Sequence, residues 1–426
     1  MKHSQLVAGI AGMVKNVHLR PGKETFVSYL PLAHILALQI ENVMLSVGAT
    51  LCYSDPHDLP KCMSMYKPTI FAGVPKVYET LKNGLEKKIS KSAAMHVVFQ
   101  TLISWKVAVL KRGGDTPVSS MFFGLIAKKI FGQTLQFAIS GGGPLSADLH
   151  YFARACFNCP VVQGYALTET CVGGCFQSLQ DPRTGIVGPP VSCVEVVLQS
   201  EPDFMDSNGK PYLHTDKTGT KGEPILGRGE ICMRGPSISS GYFQQPEKEA
   251  EAFDDEGFFH TGDIGQFTHD GVLQIIDRKK NLVKLKGGEY VAVEAMETAF
   301  GGSPFVKDIC VVADGNLDVP LAIVCVNDEA LEKWAKNENV KYENLEVLNQ
   351  SKEAREAVVQ SMKEQGKKAG LSSLEMRIKD CCLVNTEWKP GHGMTASMKL
   401  DRKAIHKIHS NELQEMYKRN GVAKQD

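Results

Sequence analysis

The stretch from Glu256 to Tyr290, EGFFHTGDIGQFTHDGVLQIIDRKKNLVKLKGGEY, constrains the chain more than any other. Its first half sets turn glycines around short apolar runs, which predicts strands over 258–261 and 272–276. Asp263 follows the first of these in the tight turn Thr261-Gly262-Asp263-Ile264. A carboxylate held on a rigid turn accepts from two neighbouring hydroxyls at once, as a ribose diol offers. Five cations follow within nine positions, Arg278, Lys279, Lys280, Lys284 and Lys286, and a flexible Gly287-Gly288 comes after them. A diol-gripping acid, a strand and then a cationic hinge suit a protein that handles a nucleotide phosphate. The plainer alternative is a glycine-rich β meander with a solvated basic loop.

Size and charge narrow the classes. A chain of 426 residues holds about two to three domains. A hydrophobic share of 43% and a charged share of 23% fit a globular protein with a sizeable core. Lys plus Arg and Asp plus Glu balance at 48 each, which argues against a general nucleic-acid binder. Basic residues gather instead at 278–286 and in the tail 399–418. Twelve cysteines without a signal-peptide pattern suggest a reducing compartment. Cys156-x-x-Cys159 followed by Cys171 and Cys175 admits a zinc or redox site. The apolar surroundings and loose second spacing favour buried free thiols, as for Cys381-Cys382. The chain has no run of eighteen uncharged apolar residues, so no transmembrane helix is expected.

Taken in order, H-T-G-D-I-G at 260–265, I-I-D-R-K-K at 275–280 and G-E-Y at 288–290 resemble the signature region of adenylate-forming enzymes. The closest pattern is that of long-chain fatty acyl-CoA synthetases. Further motifs recur in family order. Phe26 to His34 is a strand-like run ending Y-L-P-L-A-H, which resembles a motif at the acyl and adenylate pocket. His34 would there donate to a substrate carboxylate or a phosphate; capping the apolar helix over 35–47, or a core position, is the alternative. A strand over 48–53, a helix over 59–66, a strand and turn over 67–75 and helical periodicity over 76–110, interrupted around Gly84, predict a parallel or mixed sheet covered by helices.

A buried strand over 135–140 runs into Gly141-Gly142-Gly143-Pro144, and a helix is expected over 146–156. Glycines at a strand end let a flat ring or a phosphate approach the backbone, although any strand–helix turn can use them. In the resembled family this turn lies against adenine. Gln163-Gly164-Tyr165-Ala166-Leu167-Thr168-Glu169 resembles the adenylate loop, with Ala166 where glycine is usual. By that resemblance Tyr165 stacks on adenine, Thr168 bonds the α-phosphate and Glu169 holds Mg²⁺. The chemistry agrees, since Mg²⁺ takes one or two carboxylates plus phosphate oxygens; the alternative is that Thr-Glu opens a capped helix. The polar segment 202–227 reads as an exposed excursion.

A smaller α+β part follows. Its expected elements are helices over 293–300, 329–336, 352–368 and 404–419 and strands over 309–313, 321–326 and 378–384. Near the end, Met394-Thr-Ala-Ser-Met-Lys399-Leu-Asp-Arg402 resembles the C-terminal lysine motif, with Asp401 where relatives often carry a base.

The resemblance implies an adenylate-forming α/β fold. An incomplete large mixed α/β domain would span 1–276 and a small mobile α+β domain 277–426, hinged at 277–280. Asp263 would bind ribose, Arg278 the ribose or a phosphate, and Lys399 would serve adenylation. Asp277, Lys280 and Lys284 would belong to the hinge and the thioester-forming arrangement. The implied reaction joins a long-chain fatty acid, ATP and coenzyme A, with Mg²⁺, into acyl-CoA, AMP and pyrophosphate through an acyl-adenylate. The family's Ser/Thr/Gly-rich phosphate loop ending Pro-Lys-Gly does not occur in the sequence. We therefore expect weak or no ATP-dependent activity from these 426 residues, and a non-catalytic adenylate- or acyl-binding role stays open. A module serving a carrier protein is a third reading, with no carrier domain in view. The resemblance further implies no nucleic-acid partner and an intracellular location at the cytoplasmic face of the endoplasmic reticulum or another organelle membrane. Contact with that membrane would be peripheral, and the oligomeric state is left open.

Overall fold

The structure is a computed structural model that describes residues 1–114, 117–395 and 398–422. Asp115 and Thr116 of the loop expected at 112–117, and Ala396 and Ser397 of the lysine motif, lie outside the described residues. The chain forms two compact units. The first comprises Met1–Gln199, Pro224–Thr261 and Gly265–Ile275; the second comprises Ser200–Glu223, Gly262–Ile264 and Ile276–Asp426.

In the first unit α1 (His3–Asn16), β1 (Thr25–Ser28), α2 (Ile35–Ser46), β2 (Thr50–Tyr53), α3 (Leu59–Tyr66), β3 (Ile70–Gly73), α4 (Pro75–Ile89), α5 (Ala93–Leu110), α6 (Pro117–Phe131), β4 (Phe137–Ser140), α7 (Ala147–Phe157), β5 (Val161–Tyr165) and β6 (Cys175–Phe176) follow one another. The strands join in the order β2-β1-β3-β4-β5-β6. The pairs are parallel up to β5, in register at Thr25↔Thr50, Ile70↔Phe137 and Ala138↔Val161, and β6 runs antiparallel to β5. Both faces of this sheet are covered. Phe71, Ala138 and Val161 enter one core with Tyr78, Phe131 and Phe157, while Ile70, Ala72, Phe137 and Val162 enter another with Phe26, Ile40 and Met44. That alternation is the period-2 geometry of a strand, and a sheet covered on both faces makes its strands near-continuous apolar runs.

The chain continues through β7 (Glu195–Gln199), β8 (Glu201–Met205), β9 (Pro211–Tyr212), β10 (Ile225–Arg234), α8 (Pro246–Ala252), β11 (Phe259–Thr268) and β12 (Leu273–Arg278). A second sheet has the order β12-β11-β10-β7.

In the second unit the elements are β13 (Leu282–Lys284), β14 (Tyr290–Ala292), α9 (Val293–Phe300), β15 (Val306–Val312), β16 (Leu321–Val326), α10 (Asp328–Asn337), α11 (Leu345–Gln350), α12 (Lys352–Ala369), β17 (Cys381–Val384), β18 (Lys389–Pro390), β19 (Gly393–Met394), α13 (Arg402–Ile408) and α14 (Ser410–Arg419). Its main sheet is β15-β16-β17, antiparallel then parallel. All six residues of β16 are buried, in one core with Met296 and Phe300 of α9 and Val358 and Met362 of α12.

Several expectations change. The helical run 76–110 breaks at Ser90–Ser92 rather than at Gly84, and Ser92 caps α5 by accepting from Met95 N–H at 3.4 Å. The segment 202–227, expected as an exposed excursion, is largely exposed but structured in part, and most of it belongs to the second unit rather than the first. β8 and β9 form a hairpin of the second, where Phe204 and Tyr212 pack with Ile264, Leu282 and Tyr290. The terminal helix is two helices, separated at the buried His409, which accepts from Trp388 Nε1 at 3.0 Å. Gly287-Gly288 lies in the turn of the β13–β14 hairpin, closed by Leu285 N–H to Glu289 O at 2.8 Å. All twelve cysteines are free thiols. α5 is long and apolar enough to cross a membrane by length and composition, although only 17% of it is buried. A search for an uninterrupted apolar run misses it because Lys106 lies inside.

Candidate functional site

Two groups of the sequence-derived site residues assemble, one in each unit. In the first unit the buried strand β4 ends at Ser140, and Gly141 donates to Gly73 O at 3.2 Å. Of the three glycines only Gly142 needs to be one, with φ +81°. A Cβ on Gly141 would lie 3.6 Å from Leu36, and one on Gly143 would lie 3.7 Å from Pro75, both ordinary contacts. Packing therefore does not demand glycine at either position; Gly141 is buried, while Gly143 and Pro144 are exposed.

Gln163 fastens this turn to β5. Its Oε1 accepts from Leu145 N–H at 3.1 Å and its Nε2 donates to Ile186 O at 3.2 Å. The side chain of Gln163 is thus committed to the scaffold. Gly164 and Tyr165 end β5 opposite Phe176 and Cys175, and Tyr165 packs half-buried beside Ile231, Met233 and Phe259. Thr168–Thr170 is a single 3-10 turn, not a long capped helix. Thr170 Oγ1 accepts from Leu167 N–H at 3.1 Å, and Thr168 stays exposed. Glu169 O accepts from Ser239 N–H at 2.6 Å, and Glu169 Oε1 accepts from Tyr242 Oη at 2.9 Å. Burial, then Glu169, pushes the Tyr242 phenol up to about 12. Tyr242 lay unnoticed in Gly241-Tyr-Phe, because its spacing from Glu169 gives no local signal.

His34 caps α2, its Nδ1 accepting from Leu36 N–H at 3.3 Å, so the capping alternative describes its place. His260 of the H-T-G-D run was given no role from sequence. Its Nδ1 lies 3.1 Å from Glu230 Oε2 and 3.6 Å from Cys232 Sγ. These three side chains converge as a metal site would, and hydrogen bonding accounts for the convergence.

In the second unit the turn expected around Asp263 is absent. Asp263 lies inside the continuous ten-residue strand β11, directly after Gly262, whose φ of +71° bends the strand. Asp263 is buried, and Arg278 Nε at the end of β12 approaches its Oδ1 at 3.2 Å. Lys399 follows Met398, itself left-handed at φ +59°, in a turn where Thr395 N–H donates to Lys399 O at 2.8 Å. Its side chain keeps much solvent exposure, yet protein atoms crowd round it. That desolvation, then Arg278, lowers its pKa against the opposing pull of Glu294 and Asp263. Arg278, Asp263 and Glu294, from three separate elements, therefore all act on Lys399. Glu294, in the first turn of α9, was not recognised from sequence.

Asp277 is buried, and burial, then Glu294, raises its carboxyl to about 7. Arg278 N–H donates to its Oδ1 at 2.7 Å, while Oδ2 is buried without a partner. Lys280 is exposed in the 3-10 turn Lys279–Asn281, and Lys284 Nζ sits 5.7 Å from the Tyr290 ring centroid. Asp401, the departure from the family pattern, caps α13 by accepting from Ala404 N–H at 3.0 Å. Arg402 grips Glu297 through two bonds of 2.5 and 2.7 Å. Burial pushes the Glu297 carboxyl up, but the guanidinium and Val311 N–H hold it in the geometry of a carboxylate.

Residues 1–243 match the family model described as AMP-binding enzyme. This chain belongs to the AMP-binding enzyme family. It is 35% identical to Long chain acyl-CoA synthetase 8 of Arabidopsis thaliana over 97% of this chain and 59% of that protein. It is 32% identical to Long-chain-fatty-acid--CoA ligase 2 of Schizosaccharomyces pombe, covering 97% of this chain and 61% of the relative. The chain thus spans about three fifths of the curated relatives it matches. The A-PCP didomain of carboxylic acid reductase from Segniliparus rugosus, a structure in complex with AMP, superposes with a TM-score of 0.72 at 22% identity, over 98% of this chain and 51% of that one. That likeness establishes the adenylate-forming mixed α/β fold. The residues brought together are a turn exposed at Gly143-Pro144 and Glu169 in one unit, and in the other a buried acid paired with an arginine.

Proposed function

We propose that this AMP-binding enzyme serves the ATP-dependent activation of a long-chain fatty acid to its CoA thioester. The acid's carboxylate oxygen attacks the α-phosphorus of ATP, the bond to the bridging oxygen breaks, and pyrophosphate leaves behind an acyl-adenylate. The CoA sulfur then attacks the acyl carbonyl with loss of its proton, and AMP departs. The observation that carries this reading is the pairing of the buried Asp263 with Arg278 at 3.2 Å, close enough to Lys399 for both charges to act on it. An acid able to take both ribose hydroxyls, set beside two cations, matches the charge and shape of an adenylate. The identities of 35% and 32% to long-chain acyl-CoA synthetases support the acyl class.

In this reading Asp263 binds the ribose, and Arg278 holds Asp263 in place and faces the phosphate. Lys399 stabilises the charge that develops as carboxylate and α-phosphate meet. The turn Gly141–Pro144 and Tyr165 receive the adenine, and Thr168 donates to the α-phosphate. Glu169, steadied by Tyr242, would hold Mg²⁺, which when bound neutralises phosphate charge. Lys284 is assigned to the thioester-forming step, and 277–280 to the hinge between the half-reactions.

The test is pyrophosphate release with ATP, Mg²⁺ and palmitate, alongside AMP binding by calorimetry. Lys399→Ala should slow adenylation by about 10²–10³-fold and leave thioester formation from supplied palmitoyl-adenylate nearly unchanged. Asp263→Ala should weaken AMP binding by roughly 10–100-fold, the loss of hydrogen bonds to a charged group. AMP binding that is sensitive to Asp263 but comes with no pyrophosphate release would select the non-catalytic adenylate-binding alternative. AMP binding indifferent to Asp263→Ala would overturn the site.

A further inference from the structure

We infer that the outer face of α5, together with the adjoining part of α6, is a docking surface for an anionic lipid bilayer. A helix apolar on all sides belongs in a core or in lipid. α5 has that composition, yet only 17% of it is buried. Its inner face is committed: Phe99 and Ile103 are buried, and Lys106 Nζ turns inward to Asn158 Oδ1 at 2.5 Å. The opposite face repeats small and apolar residues at helical spacing, Ala94, Val97, Val98, Thr101, Trp105 and Ala108, all of them exposed. Val97, Val98 and Trp105 are 64%, 46% and 46% exposed. α6 packs beside α5 through Phe99 and Phe123, whose ring centroids are 5.9 Å apart. It presents Met121 and Leu125, one turn apart, at 76% and 60% exposure. Apolar side chains exposed in this number on adjacent helices mark an interaction surface.

Charge identifies the occupant. Between Lys87 and Phe131 the chain carries eight Lys or Arg against the single acid Asp115, within a chain whose charges balance overall. Only Lys106 among these cations is buried. The others sit at the helix ends: Lys87, Lys88 and Lys91 before α5, Lys111 and Arg112 after it, and Lys128 and Lys129 in the last turn of α6. An apolar stripe with a tryptophan, bordered by cations at its ends, is the pattern of a helix lying in the plane of an anionic interface. Lysine stems can follow the apolar surface while their ammonium groups meet lipid phosphates. The buried contacts of Phe99, Ile103 and Lys106 keep α5 attached to its unit, so it lies on the membrane rather than spanning it.

The test is vesicle flotation of the full chain with phosphatidylcholine alone and with about 30 mol% phosphatidylserine added, enough to set an anionic surface potential. The protein should float with the anionic vesicles only, with a blue shift of emission that Trp105→Phe removes. Val97→Glu with Val98→Glu, at exposed positions where the fold tolerates charge, should cut binding at least tenfold with an unchanged circular dichroism spectrum. Raising salt well above physiological strength should cut it several-fold as the phosphate attraction is screened. Three results would overturn the proposal: no flotation with either vesicle, equal flotation with both, or flotation indifferent to the double substitution. Self-association in the absence of lipid that the double substitution abolishes, without vesicle binding, would also overturn it and assign the face to a second copy of the chain.

Discussion

At the scale of single residues, the second unit concentrates its electrostatic tension at Asp277. Burial and Glu294 raise its carboxyl to about 7, against an unfolded value of about 3.9. The folded state therefore binds the proton more tightly than the unfolded one. Stability falls as pH rises across the window from about 4 to about 7, and the loss is complete above it. Urea midpoints measured from pH 4 to pH 8 should show this decline, and Asp277→Asn should flatten it and raise stability above pH 7. Wild type and variant declining in parallel would remove the assignment. Lys399 is the counterpart: desolvation and Arg278 favour its neutral form, while Asp263 and Glu294 restrain that tendency. Sequence pattern found Asp263, Arg278, Asp277 and Lys399 because each sits in a motif. It missed Glu294 and Tyr242, whose importance comes from neighbours remote in sequence.

At the scale of elements, short strands and turns matter more than the long helices. Gln163 joins three segments, accepting from Leu145 N–H and donating to Ile186 O from the end of β5. Gln163→Ala leaves both backbone groups buried and unpaired, which costs about 2–4 kcal/mol. A lowered urea midpoint should accompany weaker AMP binding, because the Gly141–Pro144 turn loses its anchor. Long, strongly patterned elements were legible beforehand, such as α3 and β16, whose limits match the sequence reading residue for residue. Breaks were less legible. The α4–α5 boundary depends on a serine cap rather than on Gly84, and β11 absorbs Gly262 as a bend within a strand. Both misreadings treated glycine as punctuation where neighbouring hydrogen bonds carry the chain through. The β8–β9 hairpin was read as an excursion because its polar sequence hides the two aromatics, Phe204 and Tyr212, that dock it.

At the scale of the molecule, the cysteines give a global readout. Burial pushes Cys159, Cys310 and Cys382 up to about 12, so they stay protonated and slow to react. An aromatic disulfide reagent should titrate half-buried Cys52 and Cys62 first in the native protein, and all twelve thiols only after denaturation without reductant. Fewer than twelve under denaturing conditions would reveal disulfides that the fold does not show. The sequence by itself determined the family, the parallel sheet with its covering helices and the motif residues, because periodicity and motif spacing are local properties written along the chain. Only the tertiary structure decided that the Gln163 side chain bonds Leu145 and Ile186, that His34 caps α2, that Tyr242 bonds Glu169 and Glu294 acts on Lys399, and that one face of α5 is exposed. Burial, desolvation and ion pairing depend on which distant segments meet, and that is fixed only when the chain packs.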